Sequence, residues 1–189
     1  MKKRIIVGIS GASGAPLAIN VLKILRDIPE AETHLIITDS GALTIRHECG
    51  MDIDEAARLA DFVYPNESIW EKPASGSFKT CGMIVVPCSM KTLAGISSGY
   101  SDSLLLRACD VTIKEQRKLV LAVRESPLSP VHLRNMYELS KMGVMIMPPV
   151  MEFYSDARTR EEAACRFAKR AVGVFFDSVT AGEWDGVCR

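Results

Sequence analysis

The chain repeats one local pattern: a short apolar, β-branched run, a turn of small or hydroxyl residues, then a stretch with helical periodicity. Lys3 to Ile9 (KRIIVGI) is the first run; it enters Ser10-Gly11-Ala12-Ser13-Gly14-Ala15 and then an apolar-periodic stretch from Leu17 to Leu25. Runs this short and this apolar, without polar alternation, suit strands buried on both faces. Thr33 to Ile37, Gly82 to Pro87, Lys118 to Val123 and Val144 to Met147 repeat the pattern. Helices are predicted over Ala42 to Cys49, Leu104 to Lys114, Val131 to Met142 and Thr159 to Val179. Strands alternating with helices predict an α/β fold, a parallel sheet with helices on both faces. Residues 50 to 80 carry Pro65, Pro73, Gly76 and several serines and read as a long decorated loop. No repeat, low-complexity tract or linker interrupts the pattern, so one domain is expected over all 189 residues, long enough for a sizeable core.

Composition narrows the function classes. The 23 basic and 23 acidic side chains cancel, which gives no global pull toward nucleic acid or an anionic membrane. No apolar run approaches the roughly 20 residues that span a bilayer. The start MKKRIIVGISG has the basic residues of a signal peptide but too short an apolar stretch, so a cytoplasmic protein is expected. Six cysteines form no CxxC pair and only three histidines are present, so no metal site is expected and the cysteines read as small buried hydrophobes. Met142, Met145, Met147 and Met151 read as core filler.

In parallel α/β sheets ligands sit beyond the carboxyl ends of the strands, so the loops after Ile9, Ile37, Pro87, Val123 and Met147 are expected to meet at one site. Gly11, Ala12 and Ser13 lie on the first of these. They read either as a tight strand–helix turn or as a place where backbone approaches a ligand and a helix N-terminus offers N–H groups to an anion. The loop is neither a Walker loop nor GxGxxG. Thr38-Asp39-Ser40 and Ser89-Met90-Lys91-Thr92 are hydroxyl-rich turns into helices, able to cap or to hold a phosphate. Cys88 has no histidine base in view and reads as structural. Arg124-Glu125 ends a strand, where a guanidinium suits phosphate. Arg107 and Lys114 lie seven apart on one helix and share a face.

Six ordered blocks carry a resemblance: GASGA at 11–15, PASGS at 73–77, VPCSMKTLAGISSG at 86–99, RACDVTIKEQRKLVLAVRE at 107–125, SPVHLRNMYELSKMG at 129–143 and PPVMEFY at 148–154. Together they resemble the UbiX family of flavin prenyltransferases, which includes proteins long described as components of phenolic acid or hydroxybenzoate decarboxylases. The resemblance implies a flavodoxin-like, Rossmann-type fold, assembled as a homododecamer. It implies reduced FMN as prenyl acceptor, dimethylallyl phosphate as donor, bonds to flavin N5 and C6, no metal, and delivery of prenylated FMN to a UbiD-type decarboxylase. The family's FMN contacts fall on Gly11, Ala12, Ser13, Thr38, Ser89, Met90, Lys91, Thr92 and Arg124. Its donor contacts fall on Lys114, Arg124, Tyr154 and Arg170, with Ser13, Glu48 and Glu125 close by; Glu48 and Glu125 are candidates to move protons. Trp70 is a candidate wall of the prenyl pocket, and Arg107 a second cation beside Lys114. Thr38-Asp39 departs from the Ser-Lys of some members. Two other readings are weighed. The related cysteine decarboxylases carry a histidine after the first helix and a PASANT block, which this chain lacks. A flavin carrier without catalysis would not need a second phosphate site.

Overall fold

The computed structural model describes residues 2–153, 155 and 157–182. Six parallel strands form one sheet in the order β3-β2-β1-β4-β5-β6. They are β1 (Lys3–Ile9), β2 (Ala31–Ile37), β3 (Phe62–Pro65), β4 (Gly82–Cys88), β5 (Lys118–Val123) and β6 (Met145–Ile146). The helices are α1 (Ala15–Arg26), α2 (Asp39–Cys49), α3 (Ile53–Ala57), α4 (Met90–Ser98), α5 (Leu104–Lys114), α6 (Pro130–Lys141) and α7 (Arg160–Gly173). The expected flavodoxin-like α/β architecture is therefore present.

Side-chain alternation along the strands divides the core in two. Ile5, Val7, Ile9, Ile84, Val86, Val120 and Ala122 face one way and pack with buried residues of α1 and α7 such as Leu22, Leu25, Ala168 and Val172. Ile6, Met83, Val85, Leu119, Leu121 and Val123 face the other way, against Leu93, Leu104, Leu105 and Leu139 of α4, α5 and α6. Both faces are covered, which is why the strands read as continuous apolar runs rather than alternating ones.

The segment expected to be loop holds α3, β3 and a 3-10 turn at Lys72–Ala74. β3 escapes a periodicity reading because it has only four residues at the sheet edge, and of these only Tyr64 is buried. The last helix ends at Gly173, short of the expected Val179. Beyond it the chain turns back so that Phe175 and Phe176 enter the core, and Val179 donates its N–H to the Phe176 carbonyl at 3.0 Å. Met142, Met145 and Met151 are exposed rather than core filler; only Met147 packs against the core.

Candidate active site

Strand order reverses between β1 and β4: the chain moves outward through β2 and β3, then returns to β4 on the other side. The loops leaving these neighbours diverge and open a crevice. Ser10, 1% exposed, ties its two walls together. Its hydroxyl donates to the Pro87 carbonyl and accepts from the Ser89 N–H, each at 2.8 Å. Across the other wall, Gly11 lies so close to α2 that a Cβ there would stand 2.3 Å from Ser40 Cβ. Only glycine permits that approach.

The resulting cleft of about 510 Å³ is lined by Ser10, Gly11, Thr38, Asp39, Ser40, Asn66, Glu67, Ser89, Lys91 and Thr92, together with residues of the turn into α5. Its size falls within the range of small-molecule sites. Of the predicted flavin contacts, Gly11, Thr38, Ser89, Lys91 and Thr92 meet here, with Ala12 and Met90 adjacent in sequence. Thr38 and Ser89 cap their helices: Thr38 Oγ1 accepts from Gly41 N–H at 3.0 Å and Ser89 Oγ from Thr92 N–H at 3.2 Å. The other first-turn N–H groups of α2 and α4 have no helical acceptor and are available to an anion. Sequence reasoning missed Asn66, Glu67, Asp102 and Ser103. Asn66 follows β3, so recognising that strand would have placed it at a carboxyl edge. It also secures the start of α5, its backbone carbonyl accepting from Leu104 N–H at 2.7 Å and its Oδ1 from Leu105 N–H at 3.2 Å.

The N-terminus of α1 differs from the expectation of an open anion site. Its Gly14 and Ala15 N–H groups both donate to Glu48 Oε2 at 2.8 Å, so the chain's own carboxylate occupies the positive helix end. Burial works against the charge on Glu48. Hydrogen bonds from Ser13, Gly14 and Ala15 and the nearby Arg124 guanidinium outweigh it and hold the carboxyl below its usual range. Ser13, Glu48 and Arg124 therefore form one cluster beyond β1 and β5. Arg124 is exposed and fixed at its backbone, where its N–H donates to the Cys88 carbonyl at 3.0 Å. Glu125 is exposed and accepts from Ser126 N–H at 2.9 Å. Arg170 lines a neighbouring cavity of about 620 Å³ with Met147, Pro148 and Phe167. Tyr154 lies outside the described residues. Cys88 is fully buried, and burial pushes its thiol up to about 12, in keeping with a structural role.

Three predicted donor-site residues are not in this cluster. Arg107 and Lys114 do share a face of α5, but that face meets the 73–77 loop. Arg107 Nε donates to the Ala74 carbonyl at 3.3 Å, and Lys114 Nζ pairs with Glu115 at 2.5 Å. Lys114 ends α5 just before β5 begins, at the amino edge of the sheet. Arg124 follows the other end of β5. Six strand residues separate them, a rise of about 20 Å. Trp70 is 78% exposed.

A sheet with a hydroxyl-lined crevice at its switch point and the Ser13–Glu48–Arg124 cluster beside it has the form of a nucleotide-binding α/β protein. Residues 1–166 match the Flavoprotein family model. The probable UbiX-like flavin prenyltransferase of Sedimentibacter hydroxybenzoicus is 52% identical over 159 residues, covering 84% of each chain. A dodecameric FMN-dependent UbiX-like decarboxylase from Escherichia coli O157:H7 superposes with a TM-score of 0.93 at 44% identity, over 97% of this chain and 100% of that one. AnUbiX in complex with FMN and dimethylallyl pyrophosphate superposes with a TM-score of 0.94 at 42% identity, over 99% of this chain and 100% of that one. The chain belongs to the UbiX-like flavin prenyltransferases.

Proposed function

We propose that the chain, acting as a single domain, joins the dimethylallyl group of dimethylallyl phosphate to N5 and C6 of reduced FMN. Prenylated FMN then passes to a UbiD-type decarboxylase. The observation that carries this reading is the pair of adjoining subsites at the carboxyl edge. One is a crevice with two helix N-termini; the other is a cluster of Ser13, Glu48 and Arg124 beside it. A flavin carrier would need the first alone.

The crevice fits FMN. The starts of α2 and α4, with Lys91, suit its phosphate. Asp39, Asn66, Glu67 and Asp102 offer acceptors to a polyhydroxyl chain. Bound there, reduced flavin supplies the nucleophile, and no metal is needed for its attack. Arg124 ends β5 at the carboxyl edge and Arg170 lines the cavity beside Met147 and Pro148; their guanidiniums would stabilise the charge that builds on the leaving phosphate. Glu48, held ionised by α1, accepts a proton rather than giving one. Glu125 stands at the same strand end as a second proton acceptor. Ser13, bonded to Glu48, orients that carboxylate and reaches toward the phosphate.

Lys114 acts on the site of a second copy of the chain, because about 20 Å of β5 separates it from its own Arg124. The same holds for Trp70, whose exposure leaves it free to cover a neighbour's pocket. This arrangement needs a homo-oligomer, and a dodecamer like that of the Escherichia coli relative satisfies it.

The test is anaerobic incubation of the purified protein with reduced FMN and dimethylallyl monophosphate, then mass spectrometry of the extracted flavin. A gain of one five-carbon unit is the expected result. Unmodified FMN with both the monophosphate and the diphosphate donor refutes the reading.

A further inference from the structure

The loop that carries PASGS is largely exposed, yet its backbone is held by two arginines. Arg107 Nε donates to the Ala74 carbonyl at 3.3 Å. Arg117 Nη2 donates to the Gly76 carbonyl at 2.7 Å, and its Nη1 to the Phe78 carbonyl at 2.8 Å. Arg117 is 11% exposed at its side chain and lies 3.7 Å from Glu115. Glu115 in turn holds the Lys114 ammonium at 2.5 Å. A Cβ on Gly76 would stand 2.3 Å from Glu115 Oε1 and 2.9 Å from Lys114 Nζ. The missing side chain at Gly76 is thus the space into which the Lys114–Glu115 pair packs. Two carbonyls gripped by one planar guanidinium is a geometry that lysine cannot reproduce.

Pro73 is buried and Ala74 packs against the core, whereas Ser75 and Ser77 bond each other at 2.8 Å on the exposed side. What the clamp fixes is the position of an ammonium group at the amino edge of the sheet.

We infer that Arg117 is a positioning residue for prenyl-donor binding: by gripping the Gly76 and Phe78 carbonyls it holds Lys114 in the place from which it reaches the donor phosphate bound by a second copy of the chain. The inference rests on the functional reading above and adds a residue to it. Arg117 touches neither ligand. Its effect passes through the loop and Lys114, so it changes donor binding and leaves the flavin crevice of its own chain, at the opposite edge of the sheet, as it was.

Two variants test this in the anaerobic prenylation assay with reduced FMN and dimethylallyl monophosphate. Arg117→Met removes the grip. Gly76→Ala leaves the grip and pushes the Lys114–Glu115 pair aside; because only flexible side-chain ends must move, this variant folds. For both, the KM for the donor is expected to rise about tenfold or more, with FMN affinity within about twofold of wild type. Arg117→Lys does not restore the KM, since one ammonium cannot serve both carbonyls. Wild-type donor KM in both variants overturns the inference and leaves the prenyltransferase reading standing. Equal losses of donor and FMN affinity also overturn it, because they mark general loosening of the fold. A wild-type protein that leaves FMN unmodified overturns the functional reading and this inference together.

Discussion

The two edges of the sheet hold charged side chains by opposite means. At the carboxyl edge, helix N-termini do the work: α1 takes Glu48 onto two N–H groups, and α2 and α4 open toward the crevice. At the amino edge, a side-chain cation grips backbone carbonyls, with Arg117 on Gly76 and Phe78. The first edge is built to receive anions; the second presents a cation outward. In the proposed reading, a receiving end and a presenting end separated by the length of the strands complete one site between copies of the chain.

Disabling each edge in a different chain separates the two roles. Arg124→Ala and Lys114→Ala are each expected to lower prenylation by about 10²- to 10³-fold. Co-expressed, the two chains regain activity, because an intact Arg124 in one meets an intact Lys114 in the other. Activity that stays lost in the mixed oligomer, measured by mass spectrometry of the flavin, refutes the division of the site.

Glu48→Gln sharpens the account of the carboxyl edge. Losing the charge at the start of α1 is expected to slow prenylation about 10²-fold and to destabilise the fold by about 1 kcal/mol, read as kcat and as a melting shift. Because the folded pKa lies below the ordinary value of 4.5, the wild-type stabilisation is present above that pH and lost as pH falls through the folded value. The Gln variant loses this part of the acid response.

Ser10→Ala tests whether the crevice depends on the tie between β1 and β4. Leaving the Ser89 N–H and Pro87 carbonyl without their hydroxyl is expected to cost about 1–3 kcal/mol, seen in denaturant titration. FMN affinity is expected to fall a few-fold.

The smallest effect concerns a region that belongs to neither edge. His34, 2% exposed, bonds Tyr64 Oη at 2.8 Å and Glu32 Oε1 at 3.0 Å, and so joins β2 to β3. Glu32 also accepts from Arg4 Nε at 2.7 Å. Burial pushes the His34 imidazole down, opposed by Glu32 and more weakly by Asp61, while Arg4 adds to the depression. With its folded pKa below 6.5, neutral His34 stabilises the fold above that pH, and the stabilisation is lost as pH falls below it. The slope is at most about 1.4 kcal/mol per pH unit. His34→Gln flattens the dependence of melting temperature on pH just below the ordinary histidine value. Identical slopes in both proteins remove His34 from the account.

Much of this was legible in the chain because buried parallel strands write themselves as apolar runs. Lys3–Ile9, Gly82–Cys88 and Lys118–Val123 are as apolar as their double burial requires. The hydroxyl turns at Thr38 and Ser89 declared both the helix caps and the crevice. β3 stayed hidden because an edge strand with one buried residue leaves no periodicity to read. The exposed methionines misled because their side chains are apolar whether buried or not.

The ends of β1, β2, β4 and β5, the residue types that gather there, and the family follow from the sequence alone. Those depend on local hydrophobic patterning and on blocks of residues that sit close together in the chain. Which edge each charge occupies was decided only by tertiary structure. Lys114 and Arg124 are ten positions apart and read as one cationic set, yet a β-strand between them puts them at opposite ends of the molecule. The N–H groups of α1 read as open until the fold brought Glu48, thirty-four residues away, to fill them.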